Sequence, residues 1–162
     1  MKNDMFPIEY TSLNIIKTKK NKITNKITKN NILRKEDIKK KFVVIKVEYA
    51  NLNYKDFLMS QGHSGLIKKF PHTPGIDASG TIYYSNSKKF LKNNRVFVIA
   101  RPLGVDSNGS FSKYITVPDH WVEKLPKSLT SKEIMMIGTS GFTAVKALNK
   151  SLKTILKYKN KP

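Results

Sequence analysis

A mainly β domain that closes in C-terminal helices is the fold class the sequence predicts, on three observations. Short alternations of apolar and polar residues recur between residues 42 and 126, separated by glycine, proline and asparagine. That pattern reads as an all-β barrel or sandwich. The period changes at residue 130, where "TSKE" precedes an apolar run with helical spacing. The length, 162 residues, suits one domain.

The elements follow in chain order. Residues 1–32 form a lysine-rich segment in which "KTKKNKITNKITKNN" repeats Asn-Lys-Ile-Thr. Ile23 and Ile27 lie four apart, but threonines stand beside them, so a hairpin and a disordered arm fit equally well. "LRKEDIKKK" (33–41) reads as a polar loop. In "FVVIKVEYANL" (42–52), Val43, Ile45, Val47 and Tyr49 alternate with Val44, Lys46 and Glu48, the mark of a half-buried strand. A strand is expected from about Ala78 in "KKFPHTPGIDASGTIYY", and a turn followed by a buried strand in "NNRVFVIA" (93–100). "LGVDSNGS" (103–110) is a glycine-rich loop. "SFSKYITV" (110–117) alternates again, and "DHWVEKLP" (119–126) is a short extended piece. Thr130 and Glu133 are placed to exchange hydrogen bonds as a capping box. Gly138 and Gly141 are expected to divide the following run into two helical pieces, with Phe142, Val145 and Leu148 on one face.

Composition excludes several functions. The absence of cysteine removes disulfides, a thiolate nucleophile and a cysteine-ligated zinc. No apolar stretch has the length needed to cross a bilayer, and "MKNDMFPIEY" lacks the apolar core of a secretory signal, so a soluble cytoplasmic protein is expected. The 31 basic and 11 acidic residues give a net charge of +20. Such a charge points toward nucleic acid. Yet arginine occurs only at 34, 95 and 101, and base reading and phosphate clamping favour its planar fork. Solvated surface lysines are the reading adopted, with no specific nucleic acid and no membrane among the partners. His63, His72 and His120 are not spaced as a ligand set and read as surface or turn histidines; no metal site is expected. No nucleophile elbow is present.

Two stretches carry candidate chemistry. Asn53-Tyr54-Lys55-Asp56 interrupts an apolar run just after a strand, a position where binding groups often sit. An amide and a phenol offer neutral donors and acceptors that polarise a carbonyl or hold a carboxamide without a metal. Alternatively, Tyr54 caps the barrel core and Asp56 caps the next turn. In "GTSGFTA", the glycines permit close backbone approach, and the helix that follows presents free N–H groups. Tight helix packing is the other explanation.

Read in order, "LNYKD", "FPHTPGIDASG", "NRVFVIA", "GSFSKYITV" and "LPKSLTSKEIMMIGTSGFTAVKAL" resemble the zinc-independent medium-chain dehydrogenase/reductases. The likeness is to their quinone-oxidoreductase-like branch, which includes the NADPH-dependent acryloyl-CoA reductases. It spans about Leu33 to Leu148, and the ordered set carries it, since "PGID" alone is weak. The resemblance implies a GroES-like barrel over 33–129, and a helical hinge over 130–162 leading to a Rossmann domain. It implies that Asn53 and Tyr54 border a cleft for NADPH and a small-molecule substrate, with Tyr54 as the catalytic group. Asp56 would support the corner, and Thr139 and Thr143 would face the cofactor. It further implies hydride delivery to an activated alkene, acryloyl-CoA-like or quinone-like, by proteins that are often homodimers. Zinc-dependent relatives carry a histidine–glutamate pair where this chain has Ile76-Asp77.

The sequence also departs from the family pattern. Asn93-Asn94 replaces Gly-Asp before the "RV" strand, a change that asparagine's tolerance of left-handed backbone allows. Lys39-Lys40-Lys41 and Phe42 stand where relatives carry a Pro-Glu-Gly-Asp turn. No glycine-rich pyrophosphate turn occurs in the 162 residues, so a fragment truncated before the Rossmann domain is expected. A basic binding module that kept the barrel and lost catalysis, with weak non-specific nucleic-acid binding, is the alternative function.

Overall fold

The chain folds around a five-stranded antiparallel sheet, described over residues 6–159 by a computed structural model. The strands are β3 (Phe42–Ala50), β4 (Ala78–Ser85), β5 (Arg95–Val98), β6 (Tyr114–Pro118) and β7 (Glu123–Lys124), in the order β6-β3-β4-β5-β7. Val43, Ile45, Ile82, Val96, Val98, Ile115 and Val117 point into one apolar core that also holds Phe90, Leu103 and Val122. Branched side chains fit such a pleated, buried surface. The expected alternation in β3 holds only in part: Val44 is as buried as its neighbours, and exposure begins at Lys46. Part of 119–126, expected to be extended, turns through a short 3-10 segment at Asp119–Trp121 before β7.

Residues 8–33, where the sequence left a hairpin and a disordered arm open, form a hairpin of β1 (Ile8–Lys17) and β2 (Ile23–Leu33). Its inner strand is clamped from two sides. Leu13 N–H donates to Phe111 O at 2.8 Å, and Ile15 and His72 exchange backbone bonds at 2.7 and 3.0 Å. Ile15 is fully buried in a second core with Met59, Ile67 and Ile76. The outer strand keeps Lys26, Ile27 and Lys29 exposed, which is why its sequence carries no burial signal.

Left-handed backbone is used in the Asn93 turn, as asparagine permits, and in the lysine corner before β3. Asn93 has φ 68, and its N–H donates to Ile82 O at 2.8 Å. Lys41 has φ 63 in the lysine corner before β3, where its N–H donates to Asn86 O at 2.9 Å. His72 differs from the expectation of a surface residue. It is buried, and its Nε2 donates to Gly104 O at 2.6 Å. His63 and His120 are exposed.

After β7 the chain enters α2 (Ser131–Lys159), capped as the sequence indicates. Glu133 Oε2 accepts from Thr130 N–H at 2.7 Å, and Glu133 N–H returns to Thr130 Oγ1 at 3.2 Å. The first turns pack Ile134 and Met135 with Leu125 against Phe97, Ile99 and Leu129. One break divides the helix, at Gly138 (φ 53, ψ −164); Gly141 lies inside the second helical piece and does not divide it. Beyond the break, Phe142, Val145 and Leu148 share a face that is 45, 57 and 59 % exposed.

Candidate active-site cleft

β3 ends at Ala50, and the chain turns through Asn51 and Leu52 into a two-turn helix, α1 (Tyr54–Ser60). Asn53 stands at its N-cap, and Asp56 closes the corner. Asp56 Oδ2 accepts from Asn53 N–H at 2.8 Å, and Oδ1 accepts from Gly75 N–H at 2.9 Å. The carboxyl is almost wholly buried. Burial pushes its pKa above the ordinary carboxylate range, against the lowering effect of the two backbone donors.

Asp77, the residue before β4, is fully buried and joins the two candidate stretches. Its Oδ2 accepts from Asn53 Nδ2 at 3.0 Å and from Thr139 N–H at 2.9 Å. Its Oδ1 accepts from the Thr139 hydroxyl. Thr139 Oγ1 in turn accepts from Ala100 N–H at 2.9 Å, and Ser140 Oγ donates to Asn53 Oδ1 at 3.3 Å. The break at Gly138 makes this arrangement possible. A Cβ there would stand 2.8 Å from Asp77 Oδ2 and closer still to Asn51 Nδ2, and its φ and ψ suit only glycine. The second piece of α2 therefore begins directly over the carboxylate.

Of the four residues nominated from the sequence, Asn53 and Thr139 meet on Asp77. Tyr54 follows Asn53 as the first residue of α1 and is not among the walls of the cleft that opens beside Thr139. It is 73 % exposed, and its ring stacks on Phe57 at 6.1 Å. Thr143 stands one turn further along α2, and its hydroxyl donates to Thr139 O at 2.8 Å. Beside this node opens a cleft of about 420 Å³, with Lys55, Ile76, Ala100, Arg101, Val105 and Thr139 among its walls. Sequence reasoning missed Asp77 as the connecting group, along with Ser140, Lys55 and Arg101. The position of an aspartate immediately before a buried strand, after Pro-Gly, was the available signal for the first. Among the described residues, no three histidine, aspartate or glutamate side chains gather as metal ligands would.

The cleft offers an apolar wall from Ile76, Pro102 and Val105, and the Thr139 hydroxyl held in fixed orientation between Asp77 and Ala100. A pocket of this size with few, fixed polar groups suits a small ligand. A nicotinamide ring fits such an apolar wall with a single hydroxyl beside it.

Comparison with known proteins gives the family and the fold. Residues 39–127, more than half of the chain, match the family described as the alcohol dehydrogenase GroES-like domain. The acrylyl-CoA reductase AcuI of Ruegeria pomeroyi is 36 % identical over 106 residues, covering 65 % of this chain and 32 % of that protein. A human quinone oxidoreductase is 33 % identical over 108 residues, covering 65 % and 31 %. The crystal structure of Bacillus subtilis protein yhfP with NAD bound superposes with a TM-score of 0.77 at 33 % identity, over 88 % of this chain and 42 % of that one. The chain thus spans about a third of the length of the relatives it matches. No helix among the described residues is long and apolar enough to cross a membrane.

Proposed function

The chain belongs to the alcohol dehydrogenase GroES-like domain family, and we propose that it forms the substrate side of an NADPH-dependent reductase of activated alkenes. The observation that carries this reading is the Asp77 node. One buried carboxylate ties Asn53 to Thr139, and Thr139 forms part of the wall of a cleft of about 420 Å³. The names of two relatives, an acrylyl-CoA reductase and a quinone oxidoreductase, and the NAD bound to a third, support the reaction type.

A nicotinamide held by this protein would supply hydride. The work of this chain is to bind and to orient. Tyr54, exposed at the start of α1, donates its hydroxyl to the carbonyl of the substrate or to the cofactor's carboxamide. Asn53 and Thr139 fix the position of that corner through Asp77. Thr143, whose hydroxyl is tied to the backbone, stiffens the first turn that faces the cofactor. Ile76 and Val105 exclude water from the alkene.

The test joins this chain to the remaining part of the Bacillus subtilis protein and follows NADPH oxidation with crotonyl-CoA. Turnover is expected from the joined protein. None is expected from the 162 residues alone, because hydrogen bonds worth about 0.5–1.5 kcal/mol each do not offset an immobilisation cost of roughly 4 kcal/mol or more. Tyr54→Phe should lower kcat by about tenfold, the loss of roughly 1.4 kcal/mol of transition-state stabilisation. A joined protein that folds and binds NADPH but does not turn over would contradict the proposal. An unchanged rate for Tyr54→Phe would remove Tyr54 from the chemistry.

A further inference from the structure

The walls of the cleft beside Thr139 carry two cations and no carboxylate. Lys55 follows Tyr54 on the first turn of α1, and Arg101 follows Ala100 just after β5. The chain is strongly basic everywhere, so a cation in a cleft means little by itself. Of the other lysine-lined clefts, the one along the second piece of α2, with Lys146, Lys150 and Lys153, has neither an acid nor an arginine, and two hold an acid of their own. The one around Lys68 includes Asp106, which pairs with that lysine at 3.0 Å. The one around Lys89 includes Asp119, paired at 3.7 Å. In the cleft beside Thr139 the acids are kept out. Asp77 lies behind Thr139, with both oxygens already accepting hydrogen bonds. Asp56 is turned inward onto Asn53 and Gly75. Glu123 reaches Arg101 from outside the walls, through Nη2 alone at 3.5 Å, between two exposed side chains. Such a pair holds its partners weakly. Arg101 is therefore left with most of its five donors for a ligand.

We propose that Lys55 and Arg101 make this cleft selective for anionic substrates: small activated alkenes that carry a carboxylate or phosphate group. The proposal rests on the reading of the cleft as a substrate site and names the class of substrate it takes. Arg101 presents a planar fork that matches the two oxygens of a carboxylate or phosphate, and Lys55 adds a mobile point charge. Ile76, Pro102 and Val105 supply an apolar wall for the hydrocarbon part. An anion with a short unsaturated tail satisfies both surfaces. A neutral quinone fills the apolar part and gains nothing from the cations.

The test needs no turnover and so fails separately from the hydride-transfer experiment. Crotonate and its neutral isostere crotonamide are titrated into the isotope-labelled 162-residue chain, and the backbone amide signals of Ala100 and Thr139 are followed. Crotonate should give saturable shifts at both amides, with a dissociation constant at least about tenfold lower than that of crotonamide. Arg101→Gln and Lys55→Gln should each weaken crotonate by several-fold to tenfold, as expected for loss of a charged hydrogen bond. They should leave crotonamide unchanged. Lys68→Gln, on a cleft that holds its own aspartate, should change nothing. Inorganic phosphate separates the two sources of the anion. Displacement of crotonate at lower concentration than crotonate itself assigns a phosphate group, and the reverse assigns a carboxylate. Equal affinity for crotonate and crotonamide would overturn the proposal. So would shifts spread evenly over the lysine-rich amides of residues 17–29, or an unchanged crotonate affinity in the double variant.

Discussion

Asp77 holds three donors from two distant parts of the chain, and the sequence gives little warning of it. The residue types in the two candidate stretches were legible: Asn53, Tyr54 and Thr139 stand out as a polar corner and a glycine-flanked threonine. Their connection was not, because an aspartate before a strand reads equally as a turn residue. Only the break at Gly138 brings Thr139 over it. Asp77→Asn keeps the volume but cannot accept on both oxygens, so at least one buried donor loses its partner. The expected loss is on the order of 1–3 kcal/mol of stability, read as a shift of the urea midpoint, with faster hydrogen exchange at the Thr139 amide. Unchanged exchange there would show that the carboxylate does not hold the helix start. Asp56 gives a prediction with the opposite pH sense from most carboxylates. Its pKa is raised in the folded chain by burial, so the folded state holds the proton more tightly than the unfolded state. Its contribution to stability therefore grows as pH falls through the raised value toward the ordinary carboxylate range. It is smallest at neutral pH. The difference in urea midpoint between wild type and Asp56→Asn should accordingly move in favour of wild type on acidification from pH 7. Movement the other way would contradict the assigned direction.

Among the elements, β3, β4, β5 and β6 were visible because each buries branched side chains and ends in a turn residue with a stated job. The hairpin of β1 and β2 was legible only as one of two equal readings, the other being a disordered arm, and the physical reason lies in its two faces. β1 is held partly through backbone bonds to His72, Phe111 and Lys113, which leave no side-chain signature, beside the buried Ile15 and the bond from the Thr73 hydroxyl to Asn14. β2 is mostly exposed and reads as a solvated lysine tract. The division of α2 was half legible. Both Gly138 and Gly141 are permitted to break a helix, but only Gly138 sits where a Cβ would meet Asn51 and Asp77. Gly138→Ala combines that collision with a backbone conformation that alanine adopts only under strain. A destabilisation of about 2 kcal/mol or more is expected, measured by thermal or urea unfolding. Gly141→Ala in the helical piece should cost far less: its backbone is helical, and its Cβ meets one side chain, Ile137, through Cγ2 at 2.8 Å, with no contact to Asn51 or Asp77. Equal effects from the two substitutions would contradict the assignment of the break.

At the scale of the whole molecule, two features belong together. The sheet, the hairpin and the start of α2 bury their apolar residues in three cores. The second piece of α2 does not, and Phe142, Val145, Leu148, Leu152 and Ile155 remain exposed along it. The chain also spans only about a third of the length of its relatives. The cleft beside Thr139 opens where that helix begins, so the proposed chemistry needs what this chain holds, a shaped and oriented wall, and a second body that holds the cofactor. The net charge of +20 was legible at once and says least about function, since lysines occupy nearly every exposed surface. The most direct test of the central claim follows the label itself. The chain joined to the remainder of the Bacillus subtilis protein is supplied with crotonyl-CoA and NADPH deuterated at C4, in separate samples for the two faces of the ring. The product is then read by NMR. The account predicts deuterium on the β-carbon of the saturated product from one of the two samples, and a solvent proton on the neighbouring carbon. A product free of deuterium from both samples would contradict it.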